Sequence, residues 1–220
     1  MKPRSVKFGD YETADHGWTL TGYALSDPEQ KTHYIEKTGG DGSWDLSTAL
    51  TDGIPRYKTR ELAVRLENST GDRAHRQELI SEMVNKLDGM ECQVQLPDYP
   101  DHYITARLHV SVEYSDPAHA AVNVTGTCSP WLEKRLERIS RATATETEKT
   151  LLLVNEGRRV LVPELTVEGG SARLRFGEYF LQVSAGVYTW PELVLTPGVH
   201  KLYYSGDCAL SVKYREAVLR

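Results

Sequence analysis

The sequence has little cysteine, no long hydrophobic run and no concentration of basic residues. Its three cysteines, Cys92, Cys128 and Cys208, lie far apart without a paired spacing, which excludes the pattern of a small secreted disulfide framework. No apolar run follows the basic residues near the start, and no window reaches the length that spans a bilayer. We therefore expect no secretory signal, no membrane partner, synthesis in the cytoplasm and three buried thiols.

Positive charge is scarcer than negative charge. Lys and Arg total 26 against 31 Asp and Glu, for a formal net charge of −5, and the two signs are mixed along the chain. A protein that grips DNA needs clustered cations to neutralise phosphates, so this pattern argues against specific nucleic-acid binding. Apolar residues at 40% and charged residues at 26% are typical of a folded globular protein, and 220 residues suffice for one large or two small domains.

Several stretches of the first half alternate apolar and polar residues, which predicts half-buried strands. Residues 62–67 alternate in this way, and so does the longer stretch 102–114. The apolar residues that share one face of that longer strand are Ile104, Ala106, Leu108, Val110, Val112 and Tyr114.

Between these strands the period changes to that of a helix. Ile80, Met83, Val84 and Leu87 recur at helical spacing, which predicts one α-helix at about residues 72–88. Asp72 or Thr70 can cap its first turn, and Gly89 suits a left-handed stop.

The last 70 residues contain short apolar runs separated by glycine turns, without a helical period. This pattern predicts an all-β sandwich or jelly roll over residues 150–220. Leu132, Leu136 and Ile139 stand at helical spacing, while the following residues 141–150 are threonine-rich and suit an extended connector or strand. Residues 132–149 are interpreted as a mostly extended crossover, so that an N-terminal β domain covers residues 1–131.

The stretch from 37 to 62 crowds glycine, aspartate and hydroxyl residues together. Asp41, Ser43 and Asp45 alternate as calcium ligands would, and Asp52 falls at the last ligand position. Leu46, however, stands where a calcium loop needs glycine, and no phosphate-loop lysine follows. The favoured interpretation is a turn whose residues tolerate positive φ, without a metal.

No arrangement of nucleophile, base and orienting group is visible in the sequence, so we expect no catalytic residue and no cofactor. Cys128 ends a strand without a neighbour that would lower its pKa, which favours a core cysteine. The aromatic residues of the C-terminal domain, among them Tyr188 and Trp190, could stack on sugars, although core positions are the commoner fate of such residues.

The order of these parts resembles the distal tail protein family of long-tailed siphophages, including prophage versions. The resemblance is carried by "GGDGSWDLSTALTDG" followed by "YKTREL", by "MVNKLDGM", "DHYITARLHVSVEY" and "CSPW", and in the second half by "VNEGRRVLVPELTVEG" and "LSVKYREAVL". It spans nearly the whole chain.

The resemblance implies a structural protein of the virion tail tip. Six copies would form a ring through an N-terminal β-sandwich with one helix, and a galectin-like sandwich would project outward. The ring would join the tail tube to tail-tip and baseplate proteins and let DNA pass. The expected contacts between copies are the long strand 102–114 and the loop around Trp44, with these candidate residues: Asp41, Gly42, Trp44, Asp45, Leu46 and His109.

Two other classes remain open at this point. The C-terminal sandwich could recognise a host surface glycan through Trp190 and Tyr188, or the chain could be a hydrolase with an unrecognised site. Glycan binding that disappears in a Trp190→Ala variant would favour the first class, and turnover in a broad substrate screen would favour the second.

Overall fold

The structure, a computed structural model, describes residues 5–51, 53–113 and 119–220. The chain divides into two compact units, Met1–Pro130 and Trp131–Arg220. Tyr114, predicted to lie on the long strand, falls outside the described residues. The mainly β fold with one α-helix is confirmed for the part of the chain that the structure describes. None of the described helices is long and apolar enough to cross a membrane.

The first unit contains a 3₁₀-helix at Thr13–His16, the helix α1 at Arg73–Leu87 and a series of strands. The strands are β1 (Lys7–Phe8), β2 (Tyr11–Glu12), β3 (Thr19–Leu25), β4 (Tyr34–Glu36), β5 (Ser43–Asp45), β6 (Arg60–Asn68), β7 (Glu91–Gln95), β8 (His102–Glu113) and β9 (Ala120–Cys128). Strands β4 and β5 form a separate two-stranded hairpin, and the others pair in the order β2-β1-β7-β8-β9-β6-β3.

The alternation predicted for β6 and β8 is confirmed. Leu62 and Leu66 of β6 are buried while Arg65 is exposed, and Leu108 of β8 is buried while His109 is exposed. One face of the sheet is therefore apolar and the other faces solvent. The helix α1 contacts β8 and β9, and it covers the apolar face.

The helix has the ends that the sequence predicts. The Asp72 carboxylate accepts a hydrogen bond from the His75 amide at 2.8 Å, and Gly89 follows with a φ of +75°. Ile80 and Met83 are buried, so the helical spacing of the apolar residues matches the side that packs on the sheet.

The second unit is built from one five-stranded sheet and a short additional pair of strands. The strands are β10 (Leu132–Lys134), β11 (Arg138–Thr143), β12 (Lys149–Asn155), β13 (Glu164–Phe176), β14 (Tyr179–Thr189), β15 (Gly198–Tyr214) and β16 (Ala217–Val218). Strand β15 pairs with β13 on one side, and on the other side its first half pairs with β12 and its second half with β11. Side chains from both halves, including Leu165, Leu174, Leu202 and Leu210, bury into one core.

The long strands change register where β13 and β15 meet between Gly169 and Ala172. A Cβ on Gly206 would lie 2.0 Å from the carbonyl oxygen of Ser171, and the φ of Gly206 is +144°. The Asp207 carboxylate accepts a hydrogen bond from the Ser171 amide at 2.6 Å. The bulge therefore requires glycine at position 206, because no side chain fits against the opposite backbone.

The segment 132–149, interpreted from the sequence as an extended crossover, lies within the second unit and supplies two of its strands. Strand β11 pairs with β15 from Arg138 to Thr143, and β10 pairs with β16. Leu136 and Ile139 are exposed while Leu132 is buried, so the three residues at helical spacing do not share one buried face. The backbone hydrogen bonds with β15 decide the conformation of this threonine-rich stretch.

A buried carboxylate joins β10 and β11 to the last strand. Glu216 is 2% exposed, and its oxygens lie 2.6 Å from Lys134 Nζ and 3.1 Å from an Arg138 nitrogen. It also accepts a hydrogen bond from the Glu156 amide at 2.8 Å. Burial alone would raise the pKa of Glu216, but these partners outweigh it and lower the pKa. We call these four residues the Glu216 cluster.

Candidate functional site

Residues 26–59, which we call the arm, leave the sheet between β3 and β6, and the structure describes all of them except residue 52. Asp52 of the rejected calcium pattern thus lies outside the described residues. The two sides of the arm are held together at its base by the Lys58 amide, which donates to the Glu29 carbonyl at 2.8 Å, and by the Lys31 amide, which donates to the Arg56 carbonyl at 2.8 Å.

The arm ends in the hairpin of β4 and β5. The Lys37 amide donates to the Gly42 carbonyl at 3.2 Å across the tip. Gly39 and Gly42 have φ values of +74° and +78°, and no atom lies within 4 Å of a Cβ built on either of them. The prediction of a turn whose residues tolerate positive φ is confirmed for these two glycines.

The arm exposes large apolar side chains along its length. Every residue from 31 to 46 is exposed, and Ile35 lies directly opposite Trp44 in the hairpin register. The exposed large apolar residues of the arm are Tyr34 at 59%, Ile35 at 44%, Trp44 at 56%, Leu46 at 39% and Leu50 at 99%. Grouped apolar side chains on a soluble surface usually mark a contact with another molecule.

The acidic residues of the arm are placed differently from calcium ligands. The Asp45 carboxylate accepts a hydrogen bond from the Ser47 amide at 2.9 Å, and the Ser47 hydroxyl and amide together lower the pKa of Asp45. Asp41 lies at the tip beside Gly42. Within the described ranges no group of three or more His, Cys, Asp or Glu residues is placed to hold a metal ion.

His109, the remaining interface candidate, is not on the arm. Its ring Nδ1 lies 2.8 Å from an oxygen of Asp88, which also accepts a hydrogen bond from the Val110 amide at 2.8 Å. The amide of Val110, and then His109, lower the pKa of Asp88. His109 borders a depression of about 490 Å³ on the solvent face of the sheet, which extends to Ser26, where the arm begins.

Small side chains form much of this depression. Ala63 of β6, Thr125 of β9 and Gly126 of β9 lie on its surface, while Arg107 and His109 stand on β8 at one side. The structure therefore provides two dissimilar surfaces in the first unit: an arm with projecting apolar side chains, and a shallow sheet face with little side-chain bulk.

The two glycan candidates do not form an exposed platform. Trp190 is 5% exposed and belongs to the core of the second unit. Tyr188 packs partly against the same core, and its hydroxyl donates to the Ser184 carbonyl at 3.0 Å. Trp190 therefore has no open face on which a sugar could stack, whereas Tyr188 is only half-buried.

Two side chains of types that often serve in catalysis, Cys128 and His16, are engaged in packing or in contacts with neighbouring side chains. Cys128 is buried, as predicted, and its burial raises the pKa of the thiol to about 11. His16 stacks on Tyr11 with ring centroids 4.1 Å apart and lies 3.4 Å from a Glu82 oxygen. A thiol with a raised pKa is a poor nucleophile at neutral pH.

Sequence reasoning identified Trp44 and Leu46 but missed Tyr34, Ile35 and Leu50. The stretch "THYIE" has the composition of a strand, but whether another layer covers that strand cannot be read from the sequence. Leu50 was the available signal, because "LSTALTDG" places it four residues after Leu46 in an otherwise small and polar stretch, where no core is predicted.

The fold and the arm define a class: a mainly β protein of two units in which the first unit carries an exposed apolar hairpin. No protein-family model and no curated protein matches the sequence. The structure is similar to the crystal structure of the SPP1 Dit (gp 19.1) protein, described as a paradigm of hub adsorption apparatus in Gram-positive infecting phages. The TM-score is 0.70 at 14% identity, over 98% of this chain and 99% of that chain. The resemblance expected from the sequence is thus confirmed at the level of the fold.

Proposed function

We propose that this chain is a structural protein of a phage tail tip, of the distal tail hub type. The observation that carries the proposal is the similarity of fold to a hub protein over nearly the full length of both chains. In this role the protein is made in the bacterial cytoplasm, from a phage or prophage, and ends in the virion tail tip.

Six copies form a ring through their first units, and the arm is the part that reaches a neighbour. A hairpin of two strands is marginally stable in water by itself, so the apolar side chains of Ile35 and Trp44 gain most by burial against another copy. The other candidate residues, Asp41, Gly42, Asp45 and Leu46, lie on the same hairpin or immediately after it.

The receiving surface is the depression beside His109 on the next copy. Its small side chains, such as those of Ala63 and Thr125, leave room for the larger ones of the arm. Because the arm and the depression are different surfaces, the contact is heterologous, and a heterologous contact gives a ring when its rotation closes.

The ring connects the tail tube to the tip baseplate and lets DNA pass. The formal net charge of −5 supports this role, because a channel that DNA must traverse should not hold phosphates by clustered cations. The galectin-like character of the second unit and the absence of an enzymatic function stay predictions of this proposal.

The decisive experiment measures the mass of the full-length protein by light scattering on a sizing column, followed by negative-stain imaging. The expected result is a species of about six times the 24.8 kDa monomer mass that images as an open ring. An Ile35→Ser/Trp44→Ser double variant should elute as a monomer.

Phe180→Ser is the matched control, because Phe180 is 75% exposed but lies in the second unit. It should leave the assembled mass unchanged. A wild-type protein that stays monomeric at every concentration would contradict self-assembly, and a double variant that still forms rings would contradict the role of the arm.

A further inference from the structure

A second depression, of about 480 Å³, lies on the outer face of the second unit. It spans β11, β15 and β13, and its residues come from two adjacent cross-strand rows. One row contains Arg141, Ser211 and Thr166, and the other contains Thr143, Ala209 and Glu168. Strand register thus brings side chains from distant parts of the sequence onto one surface.

The two charged residues of this depression stand at opposite corners. Arg141 and Glu168 are both exposed, and no hydrogen bond or ion pair of either side chain occurs within the described part of the chain. From the spacing of strands and residues, their backbone positions are roughly 12 Å apart. A guanidinium and a carboxylate therefore face one shallow space without neutralising each other.

The neighbouring row of the same face behaves differently. Lys213 lies 3.7 Å from a Glu164 oxygen and 3.4 Å from a Glu137 oxygen, so its charge is compensated within the protein. Arg173 and Lys201 are also exposed on this sheet without an ion pair in the described part of the chain, so the distinguishing feature of Arg141 and Glu168 is that both border one depression.

The floor between the charged corners is made of hydroxyl and small aliphatic groups. Thr143, Thr166 and Ser211 offer hydroxyls that can both donate and accept hydrogen bonds, and Ala209 separates them. Val187, which is 63% exposed, pairs with Thr166 and extends an aliphatic surface beside it. All these groups stand on paired strands, which hold them in fixed relative positions.

These features select the chemistry of a ligand. Glu168 repels anions, Arg141 repels cations, and a purely apolar ligand would remove the hydroxyls from water without replacing their hydrogen bonds. A neutral ring that carries several hydroxyls satisfies the guanidinium, the carboxylate and the hydroxyl floor, and its C–H face can rest on Ala209 and Val187.

We propose that the depression bounded by Arg141 and Glu168 is a binding site for a neutral saccharide. This site is distinct from the Trp190 and Tyr188 pair, and it does not depend on ring formation. Arg141 donates to sugar hydroxyls, Glu168 accepts from them, and Thr166 and Ser211 complete the contacts from below.

The test uses the full-length protein and saturation-transfer NMR with the methyl glycosides of glucose, galactose, rhamnose, N-acetylglucosamine and N-acetylgalactosamine. At least one glycoside should receive saturation. Loss of a hydrogen bond to a charged group weakens binding by about tenfold or more, so Arg141→Ala and Glu168→Gln should each raise the Kd by that factor.

Glu164→Gln is the matched control, because it removes a carboxylate from the same strand and face outside the depression, and it should leave the Kd within about twofold. Circular dichroism checks that each variant is folded. The proposal is overturned if no glycoside binds, or if both variants at the depression bind as the wild type does.

A second binding experiment uses inorganic phosphate as the probe. Phosphate binding that is lost in Arg141→Ala and strengthened in Glu168→Gln would overturn the neutral-sugar assignment in favour of an anion. The mass of the same samples is recorded in parallel, so a failed saccharide site and a failed ring give separate results.

Discussion

Trp44 in the arm of the first unit is 56% exposed, whereas Glu216 in the second unit is 2% exposed. An apolar side chain in water and a carboxylate away from water are both unfavourable for an isolated chain. In the second unit the charge of the buried carboxylate is compensated within the chain, because Lys134 and Arg138 form ion pairs with Glu216. Nothing within the described part of the arm covers Trp44 in a comparable way. The internal compensation of Glu216 fits a role in stability, and the exposure of Trp44 is the basis of the proposed role of the arm in assembly.

The largest expected effect concerns the glycine at the bulge of the second unit. Gly206→Ala should lower the free energy of unfolding by about 3 kcal/mol, because the new methyl group meets the Ser171 carbonyl and the backbone stays in a strained region. Urea titration followed by tryptophan fluorescence measures this loss. Gly42→Ala is the matched change in the arm, where no atom lies within 4 Å, and its cost should stay near 1 kcal/mol. Equal costs would show that crowding at the bulge does not matter.

A smaller effect is expected from the charge at the centre of the Glu216 cluster. Glu216→Gln should cost about 2–3 kcal/mol, toward the lower end for a broken buried ion pair, because Lys134 and Arg138 keep partial access to water. Chemical denaturation at neutral pH measures it. Glu156→Gln removes an exposed carboxylate from the same cluster and should cost clearly less stability than Glu216→Gln, because water screens its charge. Equal losses of stability in the two variants would contradict the expectation that the buried carboxylate contributes more than the exposed one.

The same cluster predicts the sign of an acid dependence. The pKa of Glu216 is lowered from its ordinary value of 4.5, so its contribution to stability is present above that value and is lost as the pH falls through the lower, folded-state pKa. The stability difference between wild type and Glu216→Gln should therefore shrink on acidification below about pH 4.5. Thermal unfolding across this range tests the sign. A difference that widens in acid would contradict it.

The smallest effect on folding is expected in the arm. Ile35→Ser together with Trp44→Ser should change the free energy of unfolding of the monomer by less than about 0.5 kcal/mol, because exposed residues lose little on substitution. The measurement is made at a protein concentration where the wild type is monomeric. A loss of several kcal/mol would mean that the arm packs on its own chain, and the contrast with the Glu216 cluster would disappear.

Local patterns accounted for much of the fold. The helix was predictable because the spacing of Ile80 and Met83 and the cap at Asp72 act within a few residues of each other. The alternation in β8 was predictable for the same reason. These signals need no information about distant parts of the chain.

Long-range pairing accounts for what the sequence did not reveal. Strand β11 exists because Arg138 is in register with Tyr214, and the Glu216 cluster joins residues 78 and 82 positions apart. The position of Trp190 was ambiguous for a related reason, since its burial depends on the strands that surround it. In the candidate site, Trp44 was predictable as an unusual residue in a polar loop, whereas its pairing with Ile35 required the hairpin register.

The late position of strand β15 in the chain also affects when the second unit can fold during synthesis. The strands β11, β12 and β13 all complete their ladders on β15, which the ribosome makes after them. The first unit is synthesised earlier and can fold while synthesis continues. Strands β11 and β12 keep unpaired backbone hydrogen-bonding groups until β15 has been synthesised. During that interval the nascent chain presents unpaired strands to its surroundings, and this is the stage at which chaperones or neighbouring nascent chains have most access to it.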